Sequence, residues 1–135
     1  MTADGPKRIE HIKVGDFILT ASDMEFEAGK FSLLTKRVSS LIHMSELHGT
    51  RNINGILSTY DQEWATIDSK FIKTRELTDS SLIISIDLLT GAALSVYAII
   101  NPGLPVTKTH AIRIEDTHTY LLAPNMFGPW YLVHD

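Results

Sequence analysis

The strongest constraint on the fold is that apolar residues come in short runs that turn-forming residues interrupt. No segment keeps apolar residues at helical spacing for ten residues or more. The runs are rich in β-branched and aromatic residues, which is typical of strands. Many short strands at close spacing predict an all-β sandwich or barrel-like fold. The predicted strands are Phe17–Thr20, Leu33–Met44, Ile56–Thr59, Trp64–Ile67, Phe71–Thr74, Leu82–Leu89, Leu94–Ile100, Ala111–Ile114, Thr119–Leu122 and Trp130–Val133.

Turn formers divide these strands and suggest how two of them pair. Thr90-Gly91 separates two β-like runs, so Leu82–Leu89 and Leu94–Ile100 are the clearest hairpin candidate. A long buried strand that pairs elsewhere would give the same pattern, and both interpretations stay open. Arg75–Leu77 is compatible with one short helical turn. Loops or turns are predicted at Ala21–Lys30, Leu47–Asn54, Asp68–Lys70 and Asn101–Pro105.

Length and charge limit the classes of function. The 135 residues suit a single domain, 1–135, and contain no repeat, low-complexity tract or linker. A net charge of −4 without a basic stripe argues against nucleic acid as a partner. The longest apolar runs are too short to span a bilayer, and the polar N-terminus lacks a signal-peptide core. We therefore expect a soluble protein, cytoplasmic or assembled in a larger particle, with no membrane partner.

Cofactor and metal chemistry have little support in the residue types. The chain has no cysteine, which excludes disulfides, thiolate zinc sites and a cysteine nucleophile within it. No pair of its histidines has a zinc-site spacing with a carboxylate complement. There is no phosphate-binding glycine loop and no nucleophile-elbow pattern. We predict neither metal nor cofactor, although residue counts alone leave a Ser-His-Asp triad open.

Three segments, in order, carry a resemblance to a known family. The first is Thr2–Thr20, a turn followed by Val14-Gly15-Asp16 before a strand; the second is Ile53–Trp64. The third joins His118-Thr119-Tyr120 to the ending Leu132-Val133-His134-Asp135. In this order the segments resemble the landmarks of a Hint domain, the fold shared by inteins and hedgehog autoprocessing domains. The resemblance implies a compact, horseshoe-like fold of many short strands.

The resemblance also implies a self-processing reaction whose first requirement is not met here. Family members transfer an acyl group to a Cys or Ser at the first residue of the domain, ahead of the early turn. This chain begins at that turn with Met1, so we expect the first strand and its nucleophile to be absent. An open strand edge is then expected beside Phe17–Thr20, where another chain or copy would pair.

The second requirement is a Thr-x-x-His motif that polarises the scissile carbonyl. Thr59 fits the threonine, and Gln62 stands in place of the histidine. An amide can donate a hydrogen bond, but it cannot shuttle a proton near neutral pH as imidazole does. The alternative is that both are ordinary residues at a strand end.

The third requirement lies at the C-terminus, where a terminal Asn cyclises with the help of a preceding His. His134 matches that His, and Asp135 occupies the Asn position. His118 matches the family's other histidine, whereas Ala111 stands where an acid often assists. A carboxylate is a poor substitute nucleophile, although it could form an anhydride, and the chain holds no peptide bond after Asp135. The alternative is that both histidines only pack or hydrogen-bond in a closed β fold.

Two functions remain, and they differ in whether the domain is an enzyme. The first is a Hint-like domain without autoprocessing that serves as a structural or interaction module, by analogy a phage virion or assembly component. The second is the C-terminal part of an atypically split intein, which trans-splices with a short N-terminal partner that brings the Cys or Ser. In that case Thr59, Gln62, His118, His134 and Asp135 are the catalytic candidates, and the reaction is self-splicing rather than turnover.

The aromatic turn Met126–Tyr131 either forms a contact patch or caps the core.

Overall fold

The computed structural model describes residues 1–27, 30–44, 49–66, 70–106 and 109–135, and these form an all-β fold, as predicted. Two short 3-10 helices, Ile9–His11 and Thr74–Glu76, accompany the strands. No helix in the described ranges is long and apolar enough to cross a membrane. The strands are β1 (Phe17–Glu27), β2 (Lys30–Met44), β3 (Thr50–Ile53), β4 (Ile56–Thr59), β5 (Glu63–Ala65), β6 (Phe71–Lys73), β7 (Leu82–Ile86), β8 (Ala93–Tyr97), β9 (Ile100–Pro102), β10 (Thr109–Ile114), β11 (Thr119–Leu122) and β12 (Trp130–His134).

Several strand predictions are confirmed. The bounds of β4 and β11 are those predicted, and the predicted helical turn at Arg75–Leu77 overlaps the second 3-10 helix. β7 and β8 form the expected hairpin, with Leu82 opposite Tyr97 and Ile86 opposite Ala93. The predicted turn at Asp68–Lys70 lies mostly outside the described residues.

Three predictions of loops are wrong, because strand pairing overrides a local excess of turn formers or charge. Ala21–Lys30 is not a loop: β1 runs to Glu27, which pairs with Lys30 at the start of β2. Met24 and Phe26 alternate with acidic residues there, a two-residue period that the charges obscured. Within Leu47–Asn54 lies β3, and within Asn101–Pro105 lies the end of β9. β9 is the outer strand of its sheet, a place where Pro102 is tolerated.

The strands form three sheets, and β12 lies at the centre of the largest. One sheet has the order β1-β2-β10 and another the order β4-β3-β9. The six-stranded sheet has the order β6-β5-β12-β7-β8, and β11 also pairs with β12. β12 thus pairs with β11, β5 and β7, so that the C-terminal strand draws together segments far apart in the chain.

Trp64 marks the centre of the core. The side chain is fully buried, its Nε1 donates to the Thr74 hydroxyl at 2.9 Å, and its ring meets the edge of Tyr131. Thr74 in turn donates from its backbone N–H to the carbonyl of Gln62 at 2.8 Å. Through these contacts the core holds Gln62, in the loop before β5, against Thr74 in the second 3-10 helix.

The N-terminal residues lie along β1. The Ala3 N–H donates to the Phe17 carbonyl, and the Leu19 N–H donates to the Met1 carbonyl. The next residue, Thr20, is fully buried and hydrogen-bonds to the carbonyl and hydroxyl of Thr119 on β11. The prediction of an open edge beside Phe17–Thr20 is therefore wrong, because the N-terminal residues and then β11 hydrogen-bond to this stretch.

Candidate functional site

The end of the β11–β12 ladder brings two of the candidate residues side by side. Thr119 is the first residue of β11, and its partner is His134, the last residue of β12. One residue beyond this pair, the Asp135 N–H donates to the His118 carbonyl at 2.7 Å. The register therefore places His118, His134 and Asp135 together, although sixteen positions separate the two histidines in sequence.

The Asp135 carboxylate is buried and has partners on three segments of the chain. Its Oδ2 accepts a hydrogen bond from the backbone N–H of Ile114 at 2.8 Å and lies 3.2 Å from His118 Nδ1. The other oxygen, Oδ1, is 3.8 Å from His134 Nδ1. Only 7% of the side chain is exposed. A buried carboxylate needs such partners, and here β10, the turn before β11 and β12 all supply one.

The two imidazoles differ in their surroundings. The rings stack at a centroid distance of 6.2 Å, and the edge of the Phe71 ring covers His134. His134 Nδ1 lies 2.9 Å from the carbonyl oxygen of Asp135. His118 is about half exposed and has a left-handed backbone with φ of 58°. A non-glycine residue rarely adopts this conformation, and the contact with Asp135 is one interaction that compensates for it.

Gln62 connects the C-terminal residues to the loop before β5. Its Nε2 donates to the His134 carbonyl at 3.0 Å and to the Glu63 carbonyl at 3.2 Å. Its backbone N–H donates to the carbonyl of Thr59 at 3.2 Å, which closes a turn. Thr59 and Gln62 therefore form one turn at the end of β4, and the amide of Gln62 bridges that turn to β12.

Tyr120 is a member of this site that was not among the predicted site residues. Its hydroxyl lies 3.5 Å from Gln62 Oε1. Burial raises the pKa of this phenol well above its usual range, and the negative charge of Asp135 raises it further. The hydroxyl is therefore neutral and can donate a hydrogen bond. The signal that could have found it is its place in the run His118-Thr119-Tyr120, which belongs to the resemblance.

A cleft of about 590 Å³ opens beside this turn. Thr59 and Gln62 line it on one side, and Met1, Tyr120 and Leu121 line it on another. The amino group of Met1 donates to the Leu121 carbonyl, and burial lowers the pKa of that amine to about 6. The other lining residues are mostly apolar, among them Ile12, Ile18, Ile56, Ile112, Leu122 and Trp130.

The structure thus brings all five candidates into two adjoining groups. Thr59 and Gln62 line the cleft, while His118, His134 and Asp135 lie beyond it, and Gln62 joins the groups through the His134 carbonyl. Ala111 is exposed on β10. Within the described ranges, no cluster of three or more His, Cys, Asp or Glu side chains could hold a metal ion.

Comparison with known proteins identifies the fold. No family model matches the chain, and no curated protein matches it. The structure is similar to that of a bacterial intein-like domain from Clostridium thermocellum, with 23% identity, a TM-score of 0.66, and coverage of 100% of this chain and 92% of that one. It is also similar to a DnaB intein from Synechocystis sp. PCC 6803, with 15% identity, a TM-score of 0.68, and coverage of 98% and 90%. A DnaX mini intein from Spirulina platensis shows 18% identity, a TM-score of 0.64, and coverage of 99% and 93%. The predicted intein-like Hint fold is therefore confirmed.

Proposed function

We propose that this chain, which has the Hint fold of inteins, is an interaction module that holds a segment of a partner protein and does not process itself. The observation that carries the proposal is the position of Gln62. This residue stands in the Thr-x-x-His position of the resemblance, and both ends of its amide face structural partners, His134 and Glu63 on one side and Tyr120 on the other. An amide in this position stabilises the strands but transfers no proton.

The arrangement around Asp135 supports the same proposal. In the family reaction the terminal side chain attacks its own carbonyl. Here Oδ2 is directed to the Ile114 N–H and to His118 instead. Both contacts would have to break before this oxygen could act as a nucleophile. The site is thus arranged to hold the end of β12 in place.

The partner of this module is a protein segment, and its place is the cleft beside Thr59 and Gln62. The cleft has a mostly apolar lining. An extended segment can bury apolar side chains there, as in other grooves that recognise peptides. By analogy of fold, an assembly component such as a phage virion protein is the setting we propose for such a module.

A specific observation favours a second candidate function, the C-terminal part of a split intein. His134 Nδ1 lies 2.9 Å from the main-chain oxygen of Asp135. In a chain extended beyond this residue, that atom is the carbonyl oxygen that an imidazole must polarise for cleavage after Asp135. In this alternative the segment in the cleft begins with Cys or Ser. Its side chain accepts the acyl group of the residue that precedes it, and trans-splicing follows.

The test is to extend the chain after Asp135 with a short reporter peptide and to add synthetic peptides for the cleft, each an extended segment preceded by an upstream segment. One peptide carries Cys or Ser after an upstream segment, and its matched control carries Ala. An interaction module binds the Cys, Ser and Ala peptides equally well, and the intact mass of the protein stays unchanged. Release of the reporter, or transfer of the upstream segment with the Cys or Ser peptide alone, would establish the split intein instead.

A second variant separates a lost reaction from a lost interaction. Gln62→His restores imidazole in the Thr-x-x-His position without changing β11 or β12. If the wild type binds peptide but only Gln62→His and Asp135→Asn together release the reporter, the fold is competent and these two residues account for the missing reaction. If no peptide binds the wild-type protein at all, both the partner proposed for the cleft and the split intein are wrong.

A further inference from the structure

The outer edge of β8 is an edge of the six-stranded sheet that the proposed function does not use. β8 is the last strand of the six-stranded sheet, and among the described strands it pairs only with β7. Leu94 and Tyr97 on this strand are 65% and 64% exposed. An edge strand with exposed apolar side chains invites pairing with another strand.

The hydrogen-bond pattern identifies which backbone groups of β8 are turned outward. The Ala98 N–H donates to the Ser81 carbonyl, so this residue pair is a hydrogen-bonded one. Since such pairs recur at every second residue of an antiparallel ladder, Val96 and Leu94 also direct their backbone groups toward β7. Ala93, Ser95 and Tyr97 therefore direct theirs away from the sheet.

The usual protections of an edge strand are missing from this one. From Leu89 to Ile100 the chain contains no charged residue, no histidine and no proline. Natural edges are commonly blocked by lysine, proline or a bulge. β8 pairs with β7 in an unbroken register over all five residues, so no bulge turns the edge away. At one end only, the Asn54 side chain donates to the Tyr97 carbonyl and accepts from the Ile99 N–H.

We propose that a second copy of this chain pairs with β8 in antiparallel orientation, about a two-fold axis that passes beside Ser95. In this register Ser95 lies opposite its own counterpart, Leu94 opposite Val96, and Tyr97 opposite Ala93. The Ala93 N–H then shares the Tyr97 carbonyl with the Asn54 amide, so the pairing is centred on Ser95. Each exposed large side chain then faces a smaller residue that is already partly covered.

The absence of charge is what favours a second copy over an unrelated strand. Self-pairing about a two-fold axis places like residues near one another, so any charge on β8 would oppose it. The uncharged run from Leu89 to Ile100 removes that obstacle. The exposed side chains of Leu89 and Ile99 at the two ends of this run add apolar area to the contact. Pairing of two five-residue strands covers less than the ~1,200 Å² of a stable interface, so we expect the dimer to dissociate on dilution.

The first experiment measures self-association by sedimentation equilibrium over a range of concentrations. We expect the wild-type protein to pass from monomer to dimer. Ser95→Lys places two ammonium groups across the axis and should weaken dimerisation at least tenfold. The control Ser39→Lys makes the same change at an exposed position of β2 and should dimerise like the wild type. A wild type that stays monomeric up to about 1 mM, or a Ser95→Lys variant that associates as the wild type does, would overturn the proposal.

The second experiment determines the register of the pairing. Because the chain has no native cysteine, only the introduced cysteine can form a disulfide. In the proposed dimer the two Ser95 Cα atoms are about 5.5 Å apart, a separation that a disulfide spans. The two Ala93 Cα atoms are more than ~10 Å apart, because four residues separate Ala93 from the position opposite its counterpart. Under mild oxidation Ser95→Cys should form the covalent dimer at least tenfold faster than Ala93→Cys. Equal rates would rule out this register, and with it the two-fold pairing.

Discussion

β12 and β8 are strands of equal length in the same sheet, yet they have opposite roles. β12 pairs on both sides, and Tyr131, Leu132 and Val133 are each at most 5% exposed. β8 pairs on one side and exposes two of its large side chains. Position in the sheet, more than composition, decides which strand can carry a precise polar site. The inner strand holds its neighbours in fixed register, whereas the outer one is available for association.

The largest expected effect comes from removing the side chain that packs against β12. Trp64→Ala deletes a fully buried ring, leaves the Thr74 hydroxyl without its donor and opens a cavity beside Tyr131. We expect a loss of about 3–5 kcal/mol in the free energy of unfolding, measured by urea denaturation. Leu94→Ala on β8 should cost at most ~0.5 kcal/mol in the monomer. Similar losses for the two variants would show that the inner and outer strands do not differ in their contribution to stability.

The sequence predicted strands well where apolar alternation and turn residues agree. Ile56–Thr59 and Thr119–Leu122 are strands with the predicted bounds, and Thr90-Gly91 lies in the turn of the predicted hairpin. Prediction failed where the structure depends on a distant partner. β9 exists because Ile100 to Pro102 pair with β3, about fifty residues earlier in the chain, and no local pattern reports that pairing.

The second prediction concerns the polar site at the end of β12. Asp135→Ala removes the acceptor for the Ile114 N–H and the partner of His118. Because Asp135 is a charged and buried acceptor, we expect a loss of about 1.5–3 kcal/mol in the free energy of unfolding. The control Asp116→Asn removes an exposed ion pair with Lys36 and tolerates the left-handed backbone of that residue, so it should matter by less than ~1 kcal/mol. His118→Asn tolerates the left-handed backbone, so a loss in that variant reports on the imidazole contact rather than on strain.

The candidate site was predictable as a set of residues but not as an arrangement. The ending His134-Asp135 and the turn Thr59–Gln62 are visible in the sequence as parts of a resemblance. That Gln62 donates to the His134 carbonyl, and that the Ile114 N–H serves Asp135, follows from long-range strand register. Tyr120 was not among the predicted site residues, because only the folded structure brings its hydroxyl to within 3.5 Å of Gln62 Oε1.

A smaller effect is expected at the hydroxyl contact that joins β1 to β11. Thr20 is fully buried, and its Oγ1 lies 2.6 Å from the Thr119 carbonyl and 2.9 Å from the Thr117 hydroxyl. Thr20→Val keeps the shape but removes the hydroxyl, so we expect a loss of about 1 kcal/mol in the free energy of unfolding. Thr35→Val, at an exposed position of β2, is the matched control and should change stability by less than ~0.5 kcal/mol. If both variants unfold alike, this buried contact between β1 and β11 contributes nothing.

The smallest effect is expected at Asp16, an accessible carboxylate that contrasts with the buried one of Asp135. A hydrogen bond from the Lys13 N–H, and then one from the Lys7 ammonium, lower the pKa of Asp16 below its usual value. The stabilisation is therefore complete above the unfolded-chain pKa of about 3.9 and is lost as the pH falls through the lower pKa of the folded state. Asp16→Asn should lower the thermal midpoint slightly at pH 7, and the difference from the wild type should shrink toward pH 2. A difference that stays constant from pH 7 to pH 2 would show that the turn before β1 depends on shape and not on this charge.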